Sequence, residues 1–248
     1  MCWRVMLPDY KRGKSMQDSP ILALSGWAQP YDALHYVAPH ATHLDYASLG
    51  SADAVFDELE RHAQTRIAVG WSLGGTLLLH AYAQGRLPAC QHMVILCSPV
   101  QFVRCAQFPH AMPHDVFSLF DENFRTQPLK TARRFSHLIA KEDVHYDRIL
   151  DALPSEYHPA TLHTWQWGLD WLAKLRHDDL AHVTLPRLTL IYGARDHIVH
   201  PHQGLVFAEQ GHDVTYHCFE GCAHAPHIHN PAWIRNHIDS LMQELQYG

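Results

Sequence analysis

The sequence predicts an α/β fold: a mostly parallel central sheet with helices on both faces, interrupted by one helical insertion. Short apolar runs such as ILAL (21–24), RIAVGW (66–71), HMVILC (92–97) and LTLIYG (188–193) recur along the chain. Segments of helical periodicity separate most of them, and strands that alternate with helices build parallel sheets buried on both faces. Between about residues 100 and 183 the strand signal stops, and helical segments rich in Phe, His, Arg and Trp replace it.

Each element has its own signal. The polar stretch up to about Pro20 reads as loose chain. ILALSG is a short buried strand closed by Gly26, and Pro30 marks the turn after it. ATHLDY (41–46) is a second strand, and residues 51–64 carry helical spacing. RIAVGW is a buried strand, LGGTLLLHAYAQG (73–85) a helix ended by Gly85, and HMVILCS (92–98) another strand. After the insertion, TLPRLTLIYGARD (184–196) returns to strand. Residues 201–211 read as helix, DVTYHCFEG (213–221) as strand and 231–246 as a closing helix. The chain thus divides into a core, residues 1–99 and 184–248, and a helical cap, residues 100–183.

Composition narrows the classes. The 248 residues, 47% of them hydrophobic, suit one globular unit with an insertion. A net charge of −6 with neutral histidines gives no basic footprint for nucleic acid or an anionic membrane. No apolar run reaches bilayer length, and the start lacks the basic-then-apolar pattern of a secretory leader, so a cytoplasmic monomer is expected. The six cysteines contain no CxxC pair and read as reduced thiols. Cys218 and Cys222 stand near His224 but lack a second pair to complete a tetrahedral zinc set, so no metal is expected. The 23 histidines will change the net charge quickly near pH 6.

The stretch VGWSLGG (69–75) carries the chemistry. Gly70-x-Ser72-x-Gly74 falls between a predicted strand and a predicted helix. An abrupt turn there forces the serine into a strained backbone and projects its hydroxyl above the strand ends. The next N–H, that of Leu73, lies at a helix N-terminus, where donors lack partners and the dipole favours negative charge. A serine nucleophile needs a base, and the base an orienting acid. Asp196 directly follows the strand LTLIYG, and His224 follows the next strand; both fall at strand ends on the rim of Ser72. His227 and His229 are rivals to His224 in the same loop, whereas His197 and His200 read as surface residues. Trp27, just after Gly26, is the candidate for the second oxyanion N–H, with simple core packing as the competing role. These residues need no metal or organic cofactor for acyl transfer: His224 takes the Ser72 proton, the two N–H groups hold the oxyanion, and Asp196 fixes the imidazole.

GWSLGG, YGARDHIV and CAHAPHIHNP resemble the α/β-hydrolase esterases and, more narrowly, the pimeloyl-acyl-carrier-protein methyl ester esterases of biotin synthesis. A tryptophan after the first-strand glycine and an H-A-P step at the histidine are shared with that family, although Ser25 stands where it often carries histidine. The resemblance implies an α/β-hydrolase fold with a helical lid. It also implies hydrolysis of a carrier-bound methyl ester to methanol. In that family an acidic acyl carrier protein is received by lid arginines. The matching segment here, NFRTQPLKTARRFSHL (123–138), offers Arg125, Lys130, Arg133 and Arg134 and no acid. By the same resemblance Phe135, Ser136, His137, Leu138 and Ile139 border the acyl channel. A general short-chain carboxylesterase or thioesterase is the alternative expectation, and a non-catalytic hydrolase-fold binding module the second.

Overall fold

The computed structural model describes residues 19–157 and 159–247. The polar N-terminal segment, apart from Ser19 and Pro20, and Cys2 with it, lies outside the described residues. Strand β1 (Ile21–Leu24) pairs on one side with β2 (Thr42–His43). After helix α1 (Ala52–Glu60), β3 (Ile67–Trp71) takes the other side of β1. Helix α2 (Leu73–Ala83) leads to β4 (His92–Leu96). Five helices follow: α3 (His114–Thr126), α4 (Pro128–Ala140), α5 (Tyr146–Ala152), α6 (Pro159–Leu162) and α7 (Gln166–Leu172). The sheet resumes with β5 (Arg187–Gly193), then α8 (Leu205–Glu209), β6 (Val214–Phe219), α9 (Pro226–His229) and α10 (Pro231–Tyr247). The strand order is β2-β1-β3-β4-β5-β6, with every pair parallel.

Burial explains why these runs are strands. β1, β3 and β4 are buried at every residue, the near-continuous apolar pattern of a sheet covered on both faces. Helix α2 is buried almost all round, through Leu73, Leu77, Leu78, Leu79 and Ala81, and therefore shows little amphipathic pattern. α1 covers the sheet with one face only, Val55, Phe56 and Leu59. Ser51 caps α1 by accepting from the N–H of Ala54.

One strand is much shorter than its sequence implies. ATHLDY yields only the two residues Thr42 and His43, at the edge of the sheet. Tyr46, expected as strand, instead turns inward and donates its hydroxyl to the carbonyl of Ser25 at 2.6 Å. A buried phenol needs an acceptor, and that bond pulls the chain off the ladder.

A parallel sheet sends all its strand C-termini to one edge. The loops after β1, β3, β5 and β6 therefore share a rim, and β1 lies where the strand order reverses, the usual place for a ligand crevice. Helices α3 and α4 reach that rim. Trp27, from the loop after β1, packs edge-on against Phe120, Phe124 and Phe135 of α3 and α4, with ring centroids 4.8–5.5 Å apart.

Candidate active site

Ser72 occupies the turn between β3 and α2 with φ 53° and ψ −121°, a conformation that a non-glycine residue adopts only when its surroundings impose it. The glycines beside it make the turn possible. A Cβ on Gly70 would lie 2.3 Å from Gly75 Cα, and one on Gly74 would lie 2.4 Å from the carbonyl oxygens of both Leu24 and Ser25. The turn is pressed against β1 and against its own helix, and only hydrogen fits at those two positions. The Ser72 N–H donates to the carbonyl of Leu96 at 2.8 Å, anchoring the elbow to β4.

Three side chains distant in sequence meet here. His224 Nε2 lies 3.0 Å from Ser72 Oγ, and His224 Nδ1 lies 2.6 Å from Asp196 Oδ2. A carboxylate only accepts, so Nδ1 carries the proton and Nε2 is free to accept from the serine hydroxyl. Asp196 is itself positioned: its Oδ1 accepts from the N–H groups of Ile198 at 2.7 Å and Val199 at 2.9 Å. His224 and Asp196 have buried side chains, and Ser72 is 8% exposed. The arrangement can deprotonate a hydroxyl and hold the resulting imidazolium beside a buried carboxylate.

The backbone of His224 is held at both ends. Its N–H donates to the carbonyl of Ile139 at 3.2 Å, and its carbonyl accepts from the indole N–H of Trp71 at 2.7 Å. Sequence reasoning gave neither partner this role. Trp71 sits inside the GWSLGG motif, so its indole N–H was a visible donor, whereas a backbone carbonyl in the cap leaves no sequence signal.

The rival histidines fall elsewhere. His227 is buried against Trp71, with ring centroids 4.3 Å apart, and desolvation lowers its pKa to about 3. His229 Nδ1 faces Asp143, and His197 pairs with Glu142 at 3.1 Å. His200 stacks on His110 beside His202.

Leu73 is the first residue of α2, where an N–H has no intrahelical acceptor. Trp27 follows Gly26 in the loop after β1, and its indole donates to the carbonyl of Trp165 at 2.9 Å, tying the loop to the segment before α7.

The lid residues divide by helical geometry. Phe135 and Leu138 line an apolar cavity with Phe102, Phe117, Phe120 and Ile198. Ser136 is buried but bonds the Tyr157 hydroxyl at 2.7 Å, and Ile139 contributes the carbonyl described above. His137 is a correction. It lies on the exposed face of α4 and bonds Tyr146, because five consecutive helical residues cannot face one channel.

The basic patch is also corrected. Arg125 pairs with Asp121 at 3.0 Å and with Asp170 at 2.5 Å, so it is not a free cation. Asp121 lies one turn earlier on α3, just outside the acid-free window, and Asp170 comes from α7. Lys130 bonds Gln127 at 3.2 Å. Arg133 and Arg134 are exposed and, among the described residues, have no ion-pair partner. Arg134 stands at a groove between α3 and α4 lined by Val116, Leu119, Phe120 and Phe135.

Metal-type donors cluster twice among the described residues: Cys97 with Asp196 and His224, and Asp143 with Cys222 and His229. Burial pushes the Cys97 and Cys222 thiols up, away from the thiolate a metal needs. Cys218 is exposed and takes no part in either cluster.

A parallel sheet with a serine elbow between strand and helix, and an acid and a histidine at later strand ends, defines a class, and the comparisons agree with it. The sequence model of the alpha/beta hydrolase family matches residues 12–236, and the chain belongs to that family. It is similar to the biotin biosynthesis bifunctional protein BioHC of Cellvibrio japonicus, 30% identical over 200 residues, covering 79% of this chain and 39% of that protein. It is also similar to the pimeloyl-[acyl-carrier protein] methyl ester esterase of Xylella fastidiosa. With strain 9a5c the identity is 29% over 188 residues, covering 72% of this chain and 69% of that protein. With strain M12 it is 32% over 137 residues, covering 53% and 52%. The chain thus spans between about a third and a half of the length of the first curated relatives it matches. Among solved structures, an esterase from Exiguobacterium antarcticum superposes with TM-score 0.74 at 13% identity, covering 91% of this chain and 92% of that one. A bromoperoxidase from Bacillus anthracis gives 0.70 at 12%, with coverages of 91% and 92%. At such identities the likeness is one of fold. Among the described residues no helix is long and apolar enough to cross a membrane.

Proposed function

We propose that this chain is a serine carboxylesterase that hydrolyses the methyl ester of a pimeloyl group carried on acyl carrier protein. The observation that carries the reading is the chain of contacts from Ser72 Oγ to His224 at 3.0 Å and from His224 to Asp196 at 2.6 Å, on a strained strand-to-helix turn. The names of the relatives supply the substrate class.

In this mechanism His224 Nε2 takes the Ser72 proton as Oγ attacks the ester carbonyl. The N–H groups of Leu73 and Trp27 stabilise the oxyanion. On collapse, His224 returns the proton to the departing methoxide oxygen and methanol leaves. Water, deprotonated by the same imidazole, then attacks the acyl-enzyme and releases the free carboxylate with Ser72 restored. Asp196 stays ionised throughout and stabilises the imidazolium. The acyl chain lies in the apolar groove between α3 and α4, whose residues Phe120, Phe135 and Leu138 suit a methylene chain. Arg133 and Arg134, exposed and without an ion-pair partner among the described residues, receive the acidic carrier at the mouth, and Arg125, paired with Asp121 and Asp170, contributes little.

The test compares a carrier-bound pimeloyl methyl ester with short p-nitrophenyl esters. Ser72→Ala should abolish turnover of both and block labelling by a fluorophosphonate probe. The Arg133→Glu/Arg134→Glu double variant should lower kcat/KM on the carrier-bound ester at least about tenfold, a loss of about 1.4 kcal/mol, and spare the small ester. Far better turnover of short esters than of the carrier-bound substrate identifies a general carboxylesterase instead. Failure of the probe to label Ser72 points to a non-catalytic module.

A further inference from the structure

Resting on the reading of Ser72, His224 and Asp196 as the catalytic triad, we infer that Asp143, in the turn between α4 and α5, is the positioning residue that fastens the cap to the histidine loop and so sets the place of His224. Asp143 lies in the cap, outside the triad, yet its side chain is wholly buried. Its Oδ2 accepts from the N–H of Ala223 at 2.7 Å, the residue just before His224. Its Oδ1 accepts from the N–H of His145 at 2.7 Å, which closes the turn. His229 Nδ1, at the end of the short helix α9 that follows His224, lies 3.0 Å from Oδ1 and 3.2 Å from Oδ2. One carboxylate therefore binds the loop on both sides of the histidine and ties it to the cap.

Neighbouring contacts run along the same seam. The Val144 N–H donates to the carbonyl of Gly221 at 3.0 Å, and the Ile139 carbonyl accepts from the His224 N–H at 3.2 Å. Arg148 of α5 donates to the carbonyl of Ile228 at 2.6 Å and to that of His229. Cap residues 139–148 thus hold loop residues 221–229 at five backbone positions. The loop cannot move toward or away from Ser72 without breaking bonds to the cap.

Charge explains why an acid stands at this point. A buried carboxylate accepts charge-assisted hydrogen bonds roughly twice as strong as neutral ones, and here two of its partners are the backbone N–H groups of Ala223 and His145. Cys222 Sγ is within 4.8 Å of the ligand atoms of Asp143 and His229, but both carboxylate oxygens are already engaged by backbone N–H groups. The cluster is built as a clamp rather than as an open ligand set. A shift of about 1 Å at a catalytic group costs up to about 100-fold in rate, so the clamp bears directly on kcat.

The test reads position and rate separately. By amide hydrogen exchange on the whole protein, the Ala223 and His224 amides of the wild type should be as protected as those of β5. In Asp143→Ala both should exchange at least about tenfold faster while α2 stays protected. For a short p-nitrophenyl ester at a temperature well below Tm, kcat should fall about 10- to 100-fold with KM within about twofold. Asp143→Asn, which keeps one acceptor oxygen and tolerates folding better, should lower kcat at least about threefold but less than Asp143→Ala does. Wild-type loop amides that exchange like exposed loop overturn the clamp without any variant. A folded Asp143→Ala or Asp143→Asn protein with kcat within twofold of wild type overturns the link to catalysis. A wild type without turnover on any ester defeats the esterase reading itself, while exchange still decides whether Asp143 holds the loop.

Discussion

Replacing Asp196 by asparagine isolates the role of its charge. Asn keeps the Oδ1 position that accepts from Ile198 and Val199, so the turn after β5 should stay formed. What changes is the 2.6 Å contact with His224. During the reaction His224 becomes an imidazolium. With charge centres about 4 Å apart and an effective dielectric of about 20, the lost attraction is about 4 kcal/mol, or about a thousandfold in rate. The amide can also donate to Nδ1 and so favour the tautomer in which Nε2 holds the proton and cannot accept from Ser72. Loss of the correct tautomer brings the expected fall in kcat to between about 10³ and 10⁴, the scale found when a triad carboxylate becomes an amide. The assay is steady-state hydrolysis of a p-nitrophenyl ester, with the urea midpoint as a control for folding. A kcat within tenfold of wild type, in a protein of unchanged midpoint, would refute the assignment of Asp196 as the partner of the imidazolium.

Two further predictions concern stability. Desolvation lowers the pKa of His227 to about 3 and that of His92 to about 4, aided at His92 by Arg187 and His237. Both rings are neutral in the fold but titrate near 6.5 when unfolded, so the unfolded chain binds more protons in acid. Stability is complete above about pH 6.5 and is lost as pH falls toward 4, by about 2 kcal/mol per ring at pH 5. Urea melts from pH 8 to 5 check the slope, and His227→Leu should remove about 2 kcal/mol of the fall across that range; an unchanged slope in that variant rules out His227 as a source. Gly74→Ala drives a Cβ to 2.4 Å from two backbone oxygens and should cost about 3 kcal/mol or more, whereas Gly85→Ala, with open space but φ 76°, should cost about 1 kcal/mol. Equal urea midpoints for the two would contradict the close approach at the elbow.

Much of this chain could be read from local chemistry. Apolar runs of four to seven residues, separated by helical periodicity, specify parallel strands wherever both faces are covered, and β1, β3, β4 and β5 formed as their residues imply. The serine turn was legible because Gly70 and Gly74 stand where a side chain would strike backbone. A parallel sheet sends all strand ends to one rim, so Asp196 and His224 could be placed near Ser72 from position alone. The choice of His224 over His227 and His229 came from order within the loop, and its Nε2 lies 3.0 Å from Ser72 Oγ. Only tertiary structure decided the rest, because those facts depend on partners far away in the chain. Asp170, 45 residues from Arg125, turned an apparent docking cation into half of an ion pair. Tyr46 left its strand for the carbonyl of Ser25. Asp143 reached across 80 residues to the loop that carries His224. Periodicity and turn chemistry act over a few neighbouring residues, whereas the pairing of buried charges and backbone groups is settled by which surfaces packing brings together.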